Sequence, residues 1–325
     1  MIMMNNRKAF TIVELLTSVI IIALLLGILL PSIAMVRTKA KETAQKAQFA
    51  TIDMALEAFK QDYGDYPPSN FTGSTPIAQD TYCGAQKLSE ALLGWDLMGF
   101  HLKTAWRVDG YTGTGVIFTP GSGTEWSYDP DRVRGITTLS EPERKVPYLE
   151  VATANVFKLG DLYNNANVAY VLCDVYRVRK LTIGDKTVTA GSPILYYKAN
   201  TANKTIDPNF TLPANNLKDR IYNYYNNSPI TSNKKLTANG PTGLQHPLDY
   251  PGSSEYTVFY ESKSSYTPGT TYGGSGIGYG IRDPRIVSPN PNPNPIVRPY
   301  NPDTYILISA GPDGYYGTAD DIHNY

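Results

Sequence analysis

A long apolar run near the start of the chain, residues 10–35, most constrains what this sequence can fold into. The stretch 19–30 holds no polar side chain, and the polar members of the whole run are Thr11, Glu14, Thr17, Ser18 and Ser32. At ~1.5 Å per residue a helix of this length reaches roughly 39 Å, which exceeds the ~30 Å hydrocarbon thickness of a membrane. The run therefore predicts a membrane-spanning helix.

The flanks of the run leave its processing and orientation open. Residues 32–34, Ser-Ile-Ala, have the small-x-small pattern of a signal-peptidase site, although the run is longer than the ~7–15 apolar residues of an ordinary secretory signal. Basic residues are more numerous after the run than before it: Arg7 and Lys8 precede it, and Arg37, Lys39, Lys41 and Lys46 follow it. The positive-inside rule alone would keep the C-terminal part inside; we expect it outside, because large C-terminal domains can translocate despite local charge.

Glu14 is the one charged side chain inside the run. An ionised group within a span costs ~2.5–3.5 kcal/mol at the helix centre and usually has a function. One explanation is that Glu14 lies at the membrane interface, where it favours the positive end of the helix dipole. The other is an ion pair with a second chain, because no basic residue lies one helical turn after Glu14. Further along, Pro31 is expected to bend or locally melt the helix.

An amphipathic pattern follows the apolar run. Apolar residues recur at spacings of three to five, namely Ala40, Ala44, Ala47, Ile52, Ala55, Phe59 and Tyr63. This spacing predicts that the helix continues, and Gly64 followed by Pro67 and Pro68 predicts its end. We therefore expect one helix with a spanning part, residues 10–35, and an amphipathic part, residues 36–66.

The remainder of the chain has the composition of β-structure with long polar loops. Tyr is abundant (25) whereas Phe is scarce (9), and Gly and Pro are frequent, which favours strands and turns over a helical bundle. We predict a short helix at residues 88–93 and strands at 115–119, 146–152, 168–183, 186–189, 194–198, 256–260 and 305–309. The predicted regions are an elaborated loop region (67–149), a β-rich head (150–304) and a last strand with its loop (305–325). The fold class is α+β, with a mainly antiparallel sheet.

The C-terminal tail carries the second chemical motif, with Asp313, Asp320 and Asp321 close together in sequence among glycine turns. Carboxylates and backbone carbonyls can supply the six to eight oxygens, at ~2.3–2.6 Å, that Ca²⁺ prefers. The pattern is not that of an EF-hand. A surface turn rich in Asp and Gly is the alternative explanation.

Several classes of function are disfavoured. The chain has 29 basic and 29 acidic residues, so its charge does not indicate a nucleic-acid partner. His101, His246 and His323 are dispersed, and the chain has no nucleophile-elbow motif, phosphate-binding loop or Cys-x-x-Cys pair. We therefore do not expect an enzyme. Cys83 and Cys173 are explained either as buried thiols or as a disulfide.

Residues 8–15, Lys-Ala-Phe-Thr-Ile-Val-Glu-Leu, resemble the processing site of type IV pilins and type II secretion pseudopilins. The resemblance implies a leader, residues 1–9, that a prepilin peptidase removes after Ala9, and N-methylation of Phe10. It also implies that Glu14 pairs with the Phe10 amine of a neighbouring subunit, and Pro31 falls where many members have a kinking proline. Ala9 departs from the family, which prefers glycine there.

The tail also resembles that of the major pseudopilins of type II secretion, which end in a Ser-x-Gly-x-Asp-Gly…Asp-Asp-Ile pattern that binds calcium. By this resemblance Asp313, Asp320 and Asp321 are side-chain ligands, with backbone oxygens near Leu307, Ser309 or Tyr316. The resemblance covers roughly the first sixty and the last twenty residues, and His323 is expected to be a surface residue outside the ligand set.

The resemblance implies a pilin-like fold and a structural role. The protein would be a single-pass inner-membrane precursor with a periplasmic head, assembling with copies of itself and with other pseudopilins on an inner-membrane platform. Such a pseudopilus supports protein export across the outer membrane. Two alternatives stay open: a type IV pilin or minor pilin of a surface filament for adhesion, and a Sec-secreted calcium-binding protein cut after Ala34.

Overall fold

One long helix, α1, runs from Ile12 to Tyr63 without interruption. The computed structural model describes residues 11–70, 82–102, 104–108, 110, 128, 144–163, 168–203, 222, 224–231, 300–316 and 320–325. The chain divides into two units, Met1–Ala44 and Gln45–Tyr325. The predicted boundary regions 67–149 and 150–304 both lie within the second unit.

In the first unit, α1 exposes its apolar side chains. Residues Ile12–Leu29 are strongly apolar and none of them is buried, so this part of the helix is long and apolar enough to cross a membrane. The helical backbone continues through residue 31. The expectation of local melting at Pro31 is therefore wrong, and the expected bend stays a prediction. Pro31 removes one backbone donor from the helical ladder.

In the second unit, one face of α1 is buried. Its buried positions, spaced by three or four residues, are Gln45, Phe49, Ile52, Leu56 and Phe59, with Ala55 beside them. The predictions for Ile52, Ala55 and Phe59 are confirmed, and Tyr63 packs partly buried against the same core. The predicted face is wrong nearer the start, where Ala40, Ala44 and Ala47 are exposed. Alanine tolerates either environment, and the buried polar Gln45 hid the true periodicity.

The strands of the second unit pair only in antiparallel fashion among the residues described. They are β1 Val156–Lys158, β2 Tyr170–Leu172, β3 Arg179–Ile183, β4 Lys186–Ala190, β5 Leu195–Lys198, β6 Tyr305–Ser309 and β7 Ile322–His323. The pairings are β1 with β2, β3 with β4, and the three-stranded order β5-β6-β7. This arrangement, with α1, confirms the α+β fold class.

Short helices connect and cover the strands. They are α2 Gly84–Leu93, α3 Leu159–Tyr163, α4 Ser228–Thr231 and the 3-10 turns Thr201–Asn203 and Tyr224–Asn227. The helix predicted at residues 88–93 is confirmed as part of α2.

The strand predictions have mixed outcomes. Those at 186–189, 194–198 and 305–309 are confirmed by β4, β5 and β6. The run 168–183 contains two strands separated by a turn at Val175 and Tyr176, and 146–152 forms bends and turns instead of a strand. The predicted strands 115–119 and 256–260 lie outside the described residues.

The central strand β6 is buried on both faces. On one side, Tyr305 and Leu307 share a cluster with Phe59 of α1 and Leu92 of α2. On the other side, alternate residues of β5 and β6 pack in a second cluster that includes Leu159 and Val171; they are Leu195, Tyr197, Ile306 and Ile308. Because strand side chains alternate between faces, the continuous apolar sequence of β6 serves both layers.

Tyrosine hydroxyls tie α1 to the rest of its unit. Three tyrosines that lie outside α1 each donate a hydrogen bond to a carboxylate on the helix. The pairs are Tyr305 with Asp53 at 2.8 Å, Tyr66 with Glu57 at 2.5 Å and Tyr148 with Asp62 at 2.6 Å. A hydrogen bond to a charged group is stronger than a neutral one, so the abundance of Tyr over Phe has a structural use.

Helix α2 carries two buried charged side chains that hold neighbouring loops. The Glu90 carboxylate accepts hydrogen bonds from the hydroxyls of Tyr82, Thr104 and Tyr128, and Lys87 Nζ donates to Asn70 Oδ1 at 3.1 Å. Burial raises the pKa of the Glu90 carboxyl. Burial likewise lowers the pKa of the Lys87 ammonium to about 8.

Replacing Lys87 should change how stability depends on pH. The ammonium titrates near 10.5 without the fold and at about 8 within it, so the folded state releases its proton first and the free energy of unfolding rises with pH between these values. We expect a rise of about 1.5 kcal/mol between roughly pH 8 and 9.5 that Lys87→Met removes. Urea denaturation of the soluble chain from Arg37 onward measures it.

The matched control is Lys180→Met, which removes an exposed lysine of β3 and should keep the rise. A rise that persists in Lys87→Met would contradict the assignment to this ammonium.

Candidate processing and assembly site

The start of α1 is closed by a capping box between Thr11 and Glu14. The Thr11 backbone N–H and the Thr11 hydroxyl both donate to Glu14 Oε2, at 2.9 and 2.8 Å. In return, the Glu14 backbone N–H donates to Thr11 Oγ1 at 3.3 Å. This reciprocal arrangement satisfies backbone donors that the first helical turn otherwise leaves without partners.

Glu14 therefore has hydrogen-bond partners within its own chain, which the sequence argument about a missing cation did not foresee. Its position in the first turn of α1 also places the negative charge near the positive end of the helix dipole. Both effects lower the free-energy cost of a carboxylate at the head of an apolar helix. The Thr-x-x-Glu spacing is a known capping signature, so the sequence did contain the signal.

The structure describes only some of the other residues predicted for processing and assembly. Ala9 and Phe10 lie outside the described residues, and Pro31 lies within α1. The capping box thus starts at the residue after the predicted new N-terminus.

The C-terminal loop follows β6 and returns to pair with it through β7. Two glycines with positive φ shape it: Gly311 at +67° and Gly314 at +76°. A methyl group added at Gly311 would lie 2.3 Å from the backbone oxygen of Asp320. The glycine is therefore required both by its left-handed conformation and by the close approach of the returning chain.

In this loop the carboxylates of Asp313 and Asp320 each accept a hydrogen bond from a backbone N–H group. The Asp313 backbone N–H donates to Asp320 Oδ2 at 3.1 Å, and Asp313 Oδ1 accepts from the Tyr315 N–H at 2.8 Å. Asp321 is adjacent in sequence and buried. In the part of the chain that the structure describes, no three His, Cys, Asp or Glu side chains lie close enough to hold a metal ion together. Calcium binding by this loop therefore stays a prediction.

The residues predicted to offer backbone oxygens are built into the sheet and its surroundings. Leu307 donates its N–H to Asn324 Oδ1 at 2.9 Å, and the Tyr316 hydroxyl donates to the backbone oxygen of Pro193. Ser309 ends β6, and its hydroxyl donates to Asp174 Oδ2 at 3.2 Å. His323, predicted to be on the surface, is half-buried, with its ring 4.8 Å from that of Tyr325.

Asp174 is a buried carboxylate beside this loop, and no sequence pattern marks it as a functional residue. Burial raises its pKa to about 6, although hydrogen bonds from the backbone of Tyr176 and from Ser309 act in the opposite direction. Its neighbours Cys173 and Val175 bind the amides of Gln48 and Gln45 on α1, at 2.9 and 3.0 Å. No local pattern predicts the hydrogen bond between Ser309 and Asp174, because the two residues are 135 positions apart in the sequence.

One comparison with known proteins concerns the N-terminal segment. Residues 4–30 match the family model of the prokaryotic N-terminal methylation motif. Neither a curated protein nor a solved structure matches the chain. The motif, together with the apolar helix behind it, is consistent with a type IV pilin-like protein. Such a motif marks structural proteins that a prepilin peptidase processes and that assemble into pilin-like filaments.

Proposed function

We propose that this chain is the precursor of a structural subunit of a type II secretion pseudopilus. The observation that carries the proposal is the match of residues 4–30 to the N-terminal methylation motif, at the start of a helix whose apolar half is exposed. The prepilin peptidase cleaves after Ala9 and methylates the new amine of Phe10. The head lies in the periplasm, and the filament contains copies of this chain and other pseudopilins.

In this proposal the capping box holds the Glu14 carboxylate until assembly. Cleavage creates an amine at Phe10, one residue before the Thr11 N–H that Glu14 now binds. In the filament, Glu14 exchanges part of its hydrogen bonding for the Phe10 amine of the adjacent subunit. The apolar half of α1 exchanges lipid for neighbouring helices. The charge of Glu14 sets the register, because an unpaired carboxylate among packed apolar helices costs several kcal/mol.

The alternative within the same class is a type IV pilin or minor pilin of a surface filament. The second unit, Gln45–Tyr325, is larger than a typical major pseudopilin head, which favours an additional adhesive role. Filaments that extend from the cell would support this alternative, and filaments confined to the periplasm would support the pseudopilus.

The charge and the cap of Glu14 can be separated by substitution. Glutamine at the same position of a capping box can still accept the Thr11 hydrogen bonds, so Glu14→Gln keeps the cap and removes the charge. Thr11→Val keeps the charge and removes the hydroxyl. We expect Glu14→Gln to insert in the membrane normally but to reduce filament yield at least tenfold, as measured by shearing and immunoblotting.

N-terminal sequencing and mass spectrometry of the mature chain are the control for processing. Methylated Phe10 in the parent and in Glu14→Gln would attribute the loss to assembly. Normal filament yield in Glu14→Gln would refute the intermolecular ion pair and leave Glu14 with its capping role alone. A mature chain that begins at Met35 would instead identify a secreted protein, and one that begins at Met1 a simple membrane anchor.

We also propose that the C-terminal loop binds calcium through Asp313, Asp320 and Asp321. The folding of the loop supports this proposal, because it places the backbone N–H of Asp313 3.1 Å from Asp320 Oδ2 and so brings the two residues close together. Oxygen donors favour a hard cation. A ligand that binds only the folded state stabilises it by ~2.7 kcal/mol at a hundredfold excess over Kd.

Chelation should therefore lower the melting temperature of the soluble chain from Arg37 onward by several degrees. The double variant Asp320→Ala, Asp321→Ala should melt at the lower temperature with or without calcium. Identical melting temperatures of the parent chain in calcium and in chelator would refute calcium binding and indicate that this loop is an ordinary surface turn.

A further inference from the structure

Three basic side chains lie just beyond the apolar part of α1, and we call Arg37, Lys39 and Lys41 the basic ring. Arg37 is the first charged residue after Glu14. All three residues are exposed. Lys39 keeps 75% of its side-chain surface accessible although it pairs with Glu42 at 2.7 Å. Residues 37–44 thus contain three basic residues and one acidic residue.

The distribution of the basic ring around the helix indicates the shape of its partner. At about 100° per residue, Lys39 points roughly 200° away from Arg37, whereas Lys41 points only about 40° away from it. A protein docked on one face of α1 would meet the cations of that face and miss the opposite one. A plane of phosphate groups surrounds a helix that passes through it, and therefore meets the cations on both sides.

The position along the helix axis agrees with such a plane. Arg37 lies two residues beyond the end of the apolar run at residue 35, which is about 3 Å along the helix axis. The headgroup layer adds roughly 5–8 Å on each side of the hydrocarbon, and long basic side chains reach back along a helix towards it. Each Lys or Arg near an anionic surface adds an attraction of ~1 kcal/mol.

We propose that the basic ring binds the phosphate groups of anionic lipids in the leaflet on the C-terminal side of the span, and so fixes the depth of α1 before assembly. The proposal rests on the proposed function, since it requires α1 to cross a membrane. The proposal also explains why cations are in excess on the C-terminal side of the span. They oppose translocation under the positive-inside rule, but after translocation they bind lipid phosphates.

The test uses the full chain purified in a non-ionic detergent. It is titrated with phosphatidylglycerol or with phosphatidylcholine of the same acyl chains, and bound lipids are counted by native mass spectrometry. We expect a preference of at least tenfold for phosphatidylglycerol in the parent chain. The triple variant Arg37→Gln, Lys39→Gln, Lys41→Gln should lose it, and glutamine preserves the helix.

The matched control removes three exposed cations of the second unit: Arg177→Asn, Lys180→Gln and Lys186→Gln. Asn is chosen at Arg177 because its φ is +55°, which Asn tolerates. The control should keep the preference. An equal loss in the control, a preference that survives in the triple variant, or none in the parent would each overturn the proposal.

Flotation with pure phosphatidylcholine vesicles separates this proposal from the function on which it rests. Insertion of the parent and of both triple variants, together with a lipid preference that depends on the basic ring, supports both. Failure of the parent chain to insert into these neutral vesicles would refute the membrane-spanning role, and the proposal with it. Insertion without lipid preference would refute the proposal alone.

Discussion

Burial of one face of α1 against β6 is the interaction on which the rest of the second unit depends. Phe59 and Ile52 share a cluster with Tyr305 and Leu307 of β6, and each such apolar side chain contributes roughly 1.5–3 kcal/mol when buried. The hydrogen bond from Tyr305 to Asp53 fixes the rotation of the helix within this contact. Because β6 is the centre of the β5-β6-β7 sheet, this contact also joins α1 to the sheet that β5 and β7 complete.

The two halves of α1 differ in what they bury: the first exposes apolar side chains, and the second buries one face in the core. The first half has no polar face. Lipid offers no water to hydrogen-bond the backbone, so in lipid every backbone N–H and C=O group needs a partner within the helix itself. The capping box of Thr11 and Glu14 extends this condition to the first turn, where the backbone donors have no helical partners. The same carboxylate thus stabilises the monomeric helix and carries the charge that an assembled filament can use. Any role of Glu14 in assembly must compete with its hydrogen bonds to Thr11.

The features predicted from the sequence are those with a local or periodic signal. The apolar run, the helix end at Gly64 and the strand β6 each follow from consecutive residues, and the structure confirms them. The buried face of α1 was only partly predicted. Gln45 is buried and accepts a hydrogen bond from the Val175 N–H, and a polar residue on the buried face interrupts the apolar periodicity of the sequence. Residues 146–152 have an apolar sequence like that of a strand but form bends and turns. Within them, the Tyr148 hydroxyl donates a hydrogen bond to Asp62 of α1. Asp174 was beyond prediction, since its environment is made by segments far apart in sequence.

The C-terminal segment joins the loop to the helix through one side chain. Asn324 accepts the Leu307 N–H with its Oδ1, and its Nδ2 donates to Asp53 Oδ1 at 3.3 Å. Asn324 directly follows β7, and β7 follows Asp320 and Asp321. The order of the loop, the pairing of β7 with β6 and the hydrogen bonding of Asp53 on α1 are therefore parts of one connected structure. An asparagine suits this position because it combines a donor and an acceptor, so that it satisfies a strand N–H and a half-buried carboxylate at once.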